Sequence, residues 1–358
     1  MVKNDEILQG LRELPFHTNE DVIIELARMY AATQGWDTDD LLGRRGDYKF
    51  WDPEYLDPSG KTPGMGTMDA FRCLVDSHRT RQLVHGILET AAQKKSEDQG
   101  PLIAIDAGTG TGVLAMALIA AGCDYVYALE INPQTAAATK QVVEQLGLED
   151  RIAVIEGDAT QIQLTESQVQ VIVSENLSNG LFDEPQFDII HHLSQYATPD
   201  ATIIPVLAEL QVALGWSGWV GVDKSHITIR ELSDLVTISS PSKLVRVKSQ
   251  VGMEIPQVVG EANLECYNLG LAVNALIVST RFAICDGVPP VYLEPDSAQF
   301  LGRSTAFKIE GDLLPPCESV RVYTSYRAGI REHFMKAVAE GGFVKLIPIE
   351  DYESRTTA

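Results

Sequence analysis

The stretch IAIDAGTGTGVLAMALIAAG at residues 103–122 constrains this chain more than any other. An apolar run ends on Asp106, and Gly108, Gly110 and Gly112 then form a turn that opens directly into an apolar helix. Glycines at that point permit positive φ and close approach of a ligand to the backbone, while the helix start offers unpaired N–H groups. The pattern then repeats as strand and helix: YVYALEI, PQTAAATKQVVEQLG, RIAVIEGD, VQVIVSEN and FDIIHHLSQY, through to residue 196. Such alternation predicts a parallel, doubly wound α/β sheet with its ligand at the carboxyl ends of the strands.

The flanks have other textures. Residues 1–46 read as helices, with Thr18-Asn19-Glu20-Asp21 as a cap and Val22, Ile23, Leu26 and Tyr30 at helical spacing. Residues 46–66 are rich in Gly, Pro and aromatics, as expected of a lid over the ligand, and one long helix is predicted from Met68 to Lys95. After Pro205 short β-branched runs such as KLVRVKSQV and LGLAVNALIVSTRFAI predict an antiparallel, barrel-like β domain. The expected organisation is helices and lid over 1–100, a Rossmann-like core over 101–205 and a β domain over 206–358. A formal net charge of −22 repels polyphosphate and anionic lipid, so neither nucleic acid nor a membrane is an expected partner. The acidic N-terminal stretch lacks the basic start of an export signal, and five scattered cysteines without a paired spacing predict free thiols and no metal site. A cytoplasmic location is the corresponding expectation.

A glycine-rich strand-to-helix turn occurs in both dinucleotide and S-adenosylmethionine sites. Here the glycines run G-x-G-x-G, Glu130 ends the next strand about 20 residues later, and Asp158-Ala159 in EGDAT ends the third. An acid at the second strand end can accept both hydroxyls of a ribose, and one at the third lies beside an adenine. Acids at three successive strand ends resemble the class I S-adenosylmethionine-dependent methyltransferases. The resemblance implies that cofactor, held by Asp106, Gly108, Gly110, Gly112, Glu130, Asp158 and Ala159.

The fourth strand runs into SENLSNGLFDEP, which puts Glu175 and Glu184 nine residues apart. Two converging carboxylates match the planar fork of a guanidinium through charge-assisted hydrogen bonds. This segment resembles the double-glutamate loop of the protein arginine methyltransferases, and Asp76-x-x-Arg79-Thr80 resembles the helix before that family's core. The resemblance implies transfer of methyl to a guanidino nitrogen, Glu175 and Glu184 as catalytic residues, and Arg79 as partner of the cofactor's carboxylate. It also implies an acceptor side at Tyr48, Asn179, Phe182 and Gln299, a helix with Tyr48 and Phe50 folded over the cofactor, and a homodimer whose helical arm would come from Trp216–Leu235. The chain departs from the family in carrying Asn176 and Asn179 where Trp and Tyr are typical, and in having Ala298-Gln299-Phe300 in place of a Thr-His-Trp triplet. The acceptor is therefore read as either an arginine in a polypeptide or a free arginine-like small molecule. N- or O-methylation of another small molecule and a catalytically silent cofactor-binding interaction protein are the alternatives. His191 and His192 are read as structural residues of the following helix.

Overall fold

The structure is a computed structural model that describes residues 4–348 apart from 44–54, 57–62, 98–99, 166–167, 183, 220–225, 229–231, 233, 268, 288–289, 298–303, 312–313, 316–317, 330–334 and 341. Tyr48, Phe50, Gln299 and most of the expected lid lie outside those residues.

Helices α1 (Asn4–Glu13), α2 (Asp21–Gln34) and α3 (Thr38–Gly43) precede a short antiparallel pair, β1 (Tyr55–Leu56) and β2 (Pro63–Gly64). Gly35 ends α2 at φ 69°, in the left-handed region that closes helices most cheaply with glycine. The single helix expected from Met68 to Lys95 is instead two, α4 (Thr67–Val75) and α5 (Ser77–Glu97), broken at Asp76. At ψ 81° Asp76 leaves the helical region, and Thr80 Oγ1 donates to the Cys73 and Leu74 carbonyls that the break frees, at 3.1 and 3.0 Å. Neither glycine nor proline marks this break, which is why periodicity runs straight through it.

The core sheet holds β3 (Ile103–Ala107), β4 (Tyr125–Glu130), β5 (Ile152–Glu156), β6 (Val169–Ser174) and β7 (Ala197–Ile204), in the order β5-β4-β3-β6-β7 with every neighbour parallel. Chain order reverses between β3 and β6, so the crevice of the sheet opens where those two strands end. Helices α6 (Val113–Ala120), α7 (Pro133–Gln145) and α8 (Gln186–Leu193) link the strands. All eight residues of α6 are buried, so its apolar character on every side is that of a helix enclosed by protein. In α7, Asn132 caps the first turn, accepting from Gln134 N–H at 3.0 Å and Thr135 N–H at 3.4 Å. Edge strand β7, which contains Pro199, has no alternating pattern and was not expected as a strand.

The β domain is one curled sheet. Leu207–Trp216 pairs with Ala275–Cys285, and the path continues through Thr305–Glu310, Met335–Glu340, Phe343–Pro348 and Ser319–Arg327 to Gln257–Glu265. The last strand returns against Ser242–Lys248: a Cβ on Gly260 would stand 2.5 Å from the Leu244 carbonyl oxygen, so only glycine allows this closure. Two of its pairings are parallel, Ile309 with Ala337 and Arg321 with Phe343, so the sheet is mixed where the sequence suggested purely antiparallel strands. The segment expected to supply a helical arm carries a strand, His226–Thr228, paired with Thr305–Phe307. Core and barrel meet closely along α5, where a Cβ on Gly86 would meet Ile284 Cγ2 at 2.3 Å. Among the described residues no helix is long and apolar enough to cross a membrane.

Candidate functional site

A cleft of about 840 Å³, partly open to solvent, lies over the carboxyl ends of β3, β4, β5 and β6. Arg79, Gly108, Gly110, Glu130, Asp158, Ala159 and Glu175 all line it, as do Cys73, Asn176 and Ile189. The switch point of the sheet therefore brings these expected residues, from Arg79 to Glu175, to one cleft, while Asp106, Gly112 and Glu184 are not among its lining residues.

Each wall has a physical cause. Gly108, Gly110 and Gly112 sit at φ 75°, 53° and 81°, the left-handed conformation that glycine adopts without strain. A Cβ on Gly108 would strike Asn176 Oδ1 at 2.6 Å, and one on Gly112 would strike Thr139 Cγ2 at 2.7 Å. On Gly110 it would meet nothing nearer than Ala70 Cβ at 3.6 Å, because that position faces open cleft. Asp106 is 1% exposed and turned back on the turn, accepting from Thr109 Oγ1 at 2.6 Å. Burial pushes its carboxyl up to about 6.

Glu130 accepts from Gly110 N–H with Oε2 and from Asn132 N–H with Oε1, each at 2.9 Å. Those two bonds hold its carboxylate across the glycine turn with lone pairs left for a ligand. Burial outweighs them and raises the carboxyl from near 4.5 to about 7. The folded chain thus binds this proton more tightly than the unfolded chain, so stability is full below pH 4.5 and declines as pH rises through about 7. Replacing Glu130 by Gln removes that part of the slope. Urea unfolding at pH 5 and pH 8 should show the variant gaining on the wild type at the higher pH, and a pH-independent difference would contradict the assignment.

Asp158 behaves otherwise. Its Oδ1 accepts from Thr160 N–H at 2.8 Å and Thr160 Oγ1 at 2.7 Å, and Oδ2 accepts from Gln161 Nε2 at 2.8 Å. The residue lines the cleft, but its carboxylate caps the turn that follows.

The end of the cleft beside β6 holds an arrangement that spacing did not disclose. The Arg79 guanidinium, expected to face a ligand, is paired through Nη2 with Glu175 Oε2, and Arg79 is only 5% exposed. Its Nη1 makes a long contact of 3.4 Å to the Cys73 carbonyl, and its buried Nε has no partner among the described residues. Burial pushes the Cys73 thiol up to about 11; Arg79 opposes that rise and Glu184 adds to it. Glu184 is near enough to Cys73 to add to that rise, but of these two side chains only Cys73 lines the cleft.

Asn179 and Phe182 are turned onto the β domain. Asn179 Nδ2 donates to Val278 O at 2.9 Å and Thr305 Oγ1 at 3.0 Å, and its Oδ1 accepts from Thr280 Oγ1 at 3.0 Å. Both of its polar ends are thus engaged by the barrel. Phe182 is fully buried against Phe307 and Tyr326, with ring centroids at 5.7 and 5.2 Å. Tyr326 Oη donates to Gly180 O at 2.5 Å, and Gly180 N–H donates to Thr280 Oγ1 at 2.7 Å. The loop after β6 is thus stitched to the β domain. His191 Nδ1 and His192 Nε2 meet the Met253 and Ile162 carbonyls at 3.0 and 2.7 Å, which makes them structural. No group of three or more His, Cys, Asp or Glu among the described residues is placed to hold a metal ion.

Comparison with known proteins finds relatives of the core. Residues 76–205 match the family model described as "Ribosomal protein L11 methyltransferase (PrmA)", the span from the α4–α5 break to the end of the core. The chain is 32% identical over 140 residues to "Protein arginine N-methyltransferase 1" of Chlamydomonas reinhardtii, covering 39% of each chain. It is 29% identical over 163 residues to "Protein arginine N-methyltransferase 7" of Danio rerio, covering 42% of this chain and 24% of the relative. Among solved structures, the "Trypanosoma brucei PRMT1 enzyme-prozyme heterotetrameric complex with AdoHcy" superposes with TM-score 0.56 at 20% identity, over 69% of this chain and 83% of that one. The match thus spans well under half the length of the two curated relatives. In fold and in the sequence of its core the chain is similar to the protein arginine methyltransferases.

Proposed function

We propose that this methyltransferase-like chain uses S-adenosylmethionine to methylate a guanidino nitrogen, with Glu175 and Glu184 holding the acceptor. The observation that carries the reading is the Arg79–Glu175 pair: at the cleft, the first glutamate of the loop already holds a guanidinium, one supplied by the chain itself.

The residues present fit the cofactor. Gly110 faces open space where a side chain would stand, Glu130 keeps lone pairs over the turn, and the buried Nε of Arg79 has no partner among the described residues. Glu130 would hold the ribose, the wall at Asp158 and Ala159 the adenine, and Arg79 the carboxylate. The bound cofactor supplies an electrophilic methyl on a sulfonium. An anion beside Arg79 competes with Glu175 for the guanidinium, so filling the carboxylate subsite loosens the internal pair and frees Glu175 for an acceptor cation. Glu175 and Glu184 then orient that cation and concentrate its positive charge away from the attacking nitrogen. Its remaining proton leaves to solvent after transfer.

The acceptor class is proposed as a guanidino compound, with a free arginine-like small molecule supported by two local facts. Asn176 stands where the related loop carries Trp, and Asn179 is drawn onto the barrel instead of lining an aromatic slot. The test is methyl transfer from labelled cofactor to free arginine, small guanidino compounds and an arginine-rich peptide, with the labelled atom identified. Label on a guanidino nitrogen supports the reading; label only on an oxygen or an amine, or none, refutes it.

A further inference from the structure

A directional chain of hydrogen bonds sits at the switch point. Ser174 Oγ donates to Gln186 Oε1 at 2.9 Å, and the backbone N–H of Asn176 donates to the same oxygen at 3.1 Å. Asn176 Nδ2 in turn donates to the Ala107 carbonyl at 2.8 Å and to Ser174 Oγ at 3.1 Å. A backbone carbonyl only accepts and a backbone N–H only donates, so the orientations of both amides follow from their partners. Gln186 and Ser174 are 1% and 0% exposed, which makes this a built network rather than a surface arrangement. With both Nδ2 protons spent inward, Asn176 has its carbonyl oxygen left over. That oxygen receives no hydrogen bond from any described residue and lies at the glycine turn, against Gly108, where both residues line the cleft.

Strand order decides what reaches it. The cleft-lining strand ends run Asp158 after β5, Glu130 on β4, Gly108 after β3 and Asn176 after β6. With a ribose at Glu130 and an adenine at the Asp158 end, the amino-acid end of an adenosyl cofactor would be left to the β3 and β6 ends of the cleft. That end carries a carboxylate, which suits Arg79, and an α-ammonium, which has only protons to give. We infer that Asn176 Oδ1 accepts a hydrogen bond from the cofactor's α-ammonium group, with Gln186 and Ser174 as positioning residues that fix the amide. The asparagine in place of an aromatic is then a specificity-determining residue for the amino-acid end. This rests on the cofactor reading above.

The experiment is calorimetry on the full chain with two probes, S-adenosylhomocysteine and its analogue with hydrogen in place of the α-amino group. The wild type should prefer the amino form by about tenfold or more, as expected for a hydrogen bond to a charged group in a partly enclosed cleft. Asn176→Leu should bring the two affinities to within about twofold of each other, since the neutral isostere cannot accept. Gln186→Leu should reduce the preference in part, by releasing the amide. Because the reading is a ratio on one variant, a uniform loss of affinity does not imitate it. Retention of the wild-type preference by Asn176→Leu overturns the assignment; if that variant fails to fold, unchanged preference in Gln186→Leu overturns it. A wild type that binds both probes alike sinks the Asn176 assignment alone. One that binds neither sinks the cofactor reading and this assignment with it.

Discussion

Glu184→Gln should lower turnover on a guanidino acceptor by about 100-fold or more while leaving affinity for S-adenosylhomocysteine within about twofold. The substitution keeps shape and some hydrogen bonding but removes a charge that already bears on Cys73 in the cleft wall. Glu184 is only half-buried, so the neutral form carries little folding penalty. Glu175 is a poorer choice for the same test. Losing its charge leaves the enclosed Arg79 guanidinium without its ion-pair partner, which costs about 3–5 kcal/mol where such pairs are fully buried. The double variant should fall little below the worse single one, as expected of groups that act as one clamp. Steady-state assay beside calorimetry decides the matter: near-normal turnover by Glu184→Gln would refute the two-carboxylate mechanism.

Gly110→Val should abolish S-adenosylhomocysteine binding, a loss of more than about 100-fold, in a chain that still folds. Of the three glycines only this one has room for a side chain within the protein, with Ala70 Cβ at 3.6 Å as the nearest atom, so the space it keeps open belongs to the ligand. Holding a β-branched residue at φ 53° adds strain of about 1–2 kcal/mol, which a domain of this size tolerates. Gly108 and Gly112 are unsuitable for the test because any Cβ there collides with Asn176 or Thr139 first. Thermal unfolding checks the fold and calorimetry the binding. A folded variant with unchanged affinity would remove the turn from the site.

The sheet was legible because its signals are local. Each of β3 to β6 is a short apolar run that leads to an acid or a glycine, and these strands stand at IAIDA, YVYALE, IAVIE and VQVIVS. The cleft-lining positions of Glu130, Glu175 and Arg79 follow from those strand ends and from the helix before them. What spacing could not show is where a side chain goes once neighbours from distant segments arrive. Asp158 lies at the right strand end yet spends its carboxylate on Thr160 and Gln161. Asn179 and Phe182 have the right place in the loop, but Val278, Thr305 and Tyr326 claim them from strands far along the chain. The helix break at Asp76 and the strand at β7 left no compositional mark, and Gln186 gave no sign that it would support the loop from below.

The stitching of the loop after β6 has a consequence for how the chain matures. Gly180 waits for Thr280, 100 residues later, Asn179 for Thr305, 126 residues later, and the Gly180 carbonyl for Tyr326, 146 residues later. On a ribosome the whole α/β half is therefore made before any of these anchors exists. A nascent chain can close its parallel sheet and fold its glycine turn early, while the segment between the two glutamates gains its anchors one by one, at Thr280, then Thr305, then Tyr326. On the proposed reading, the glycine turn would therefore be complete before the loop that bears the two glutamates gains its contact with Tyr326.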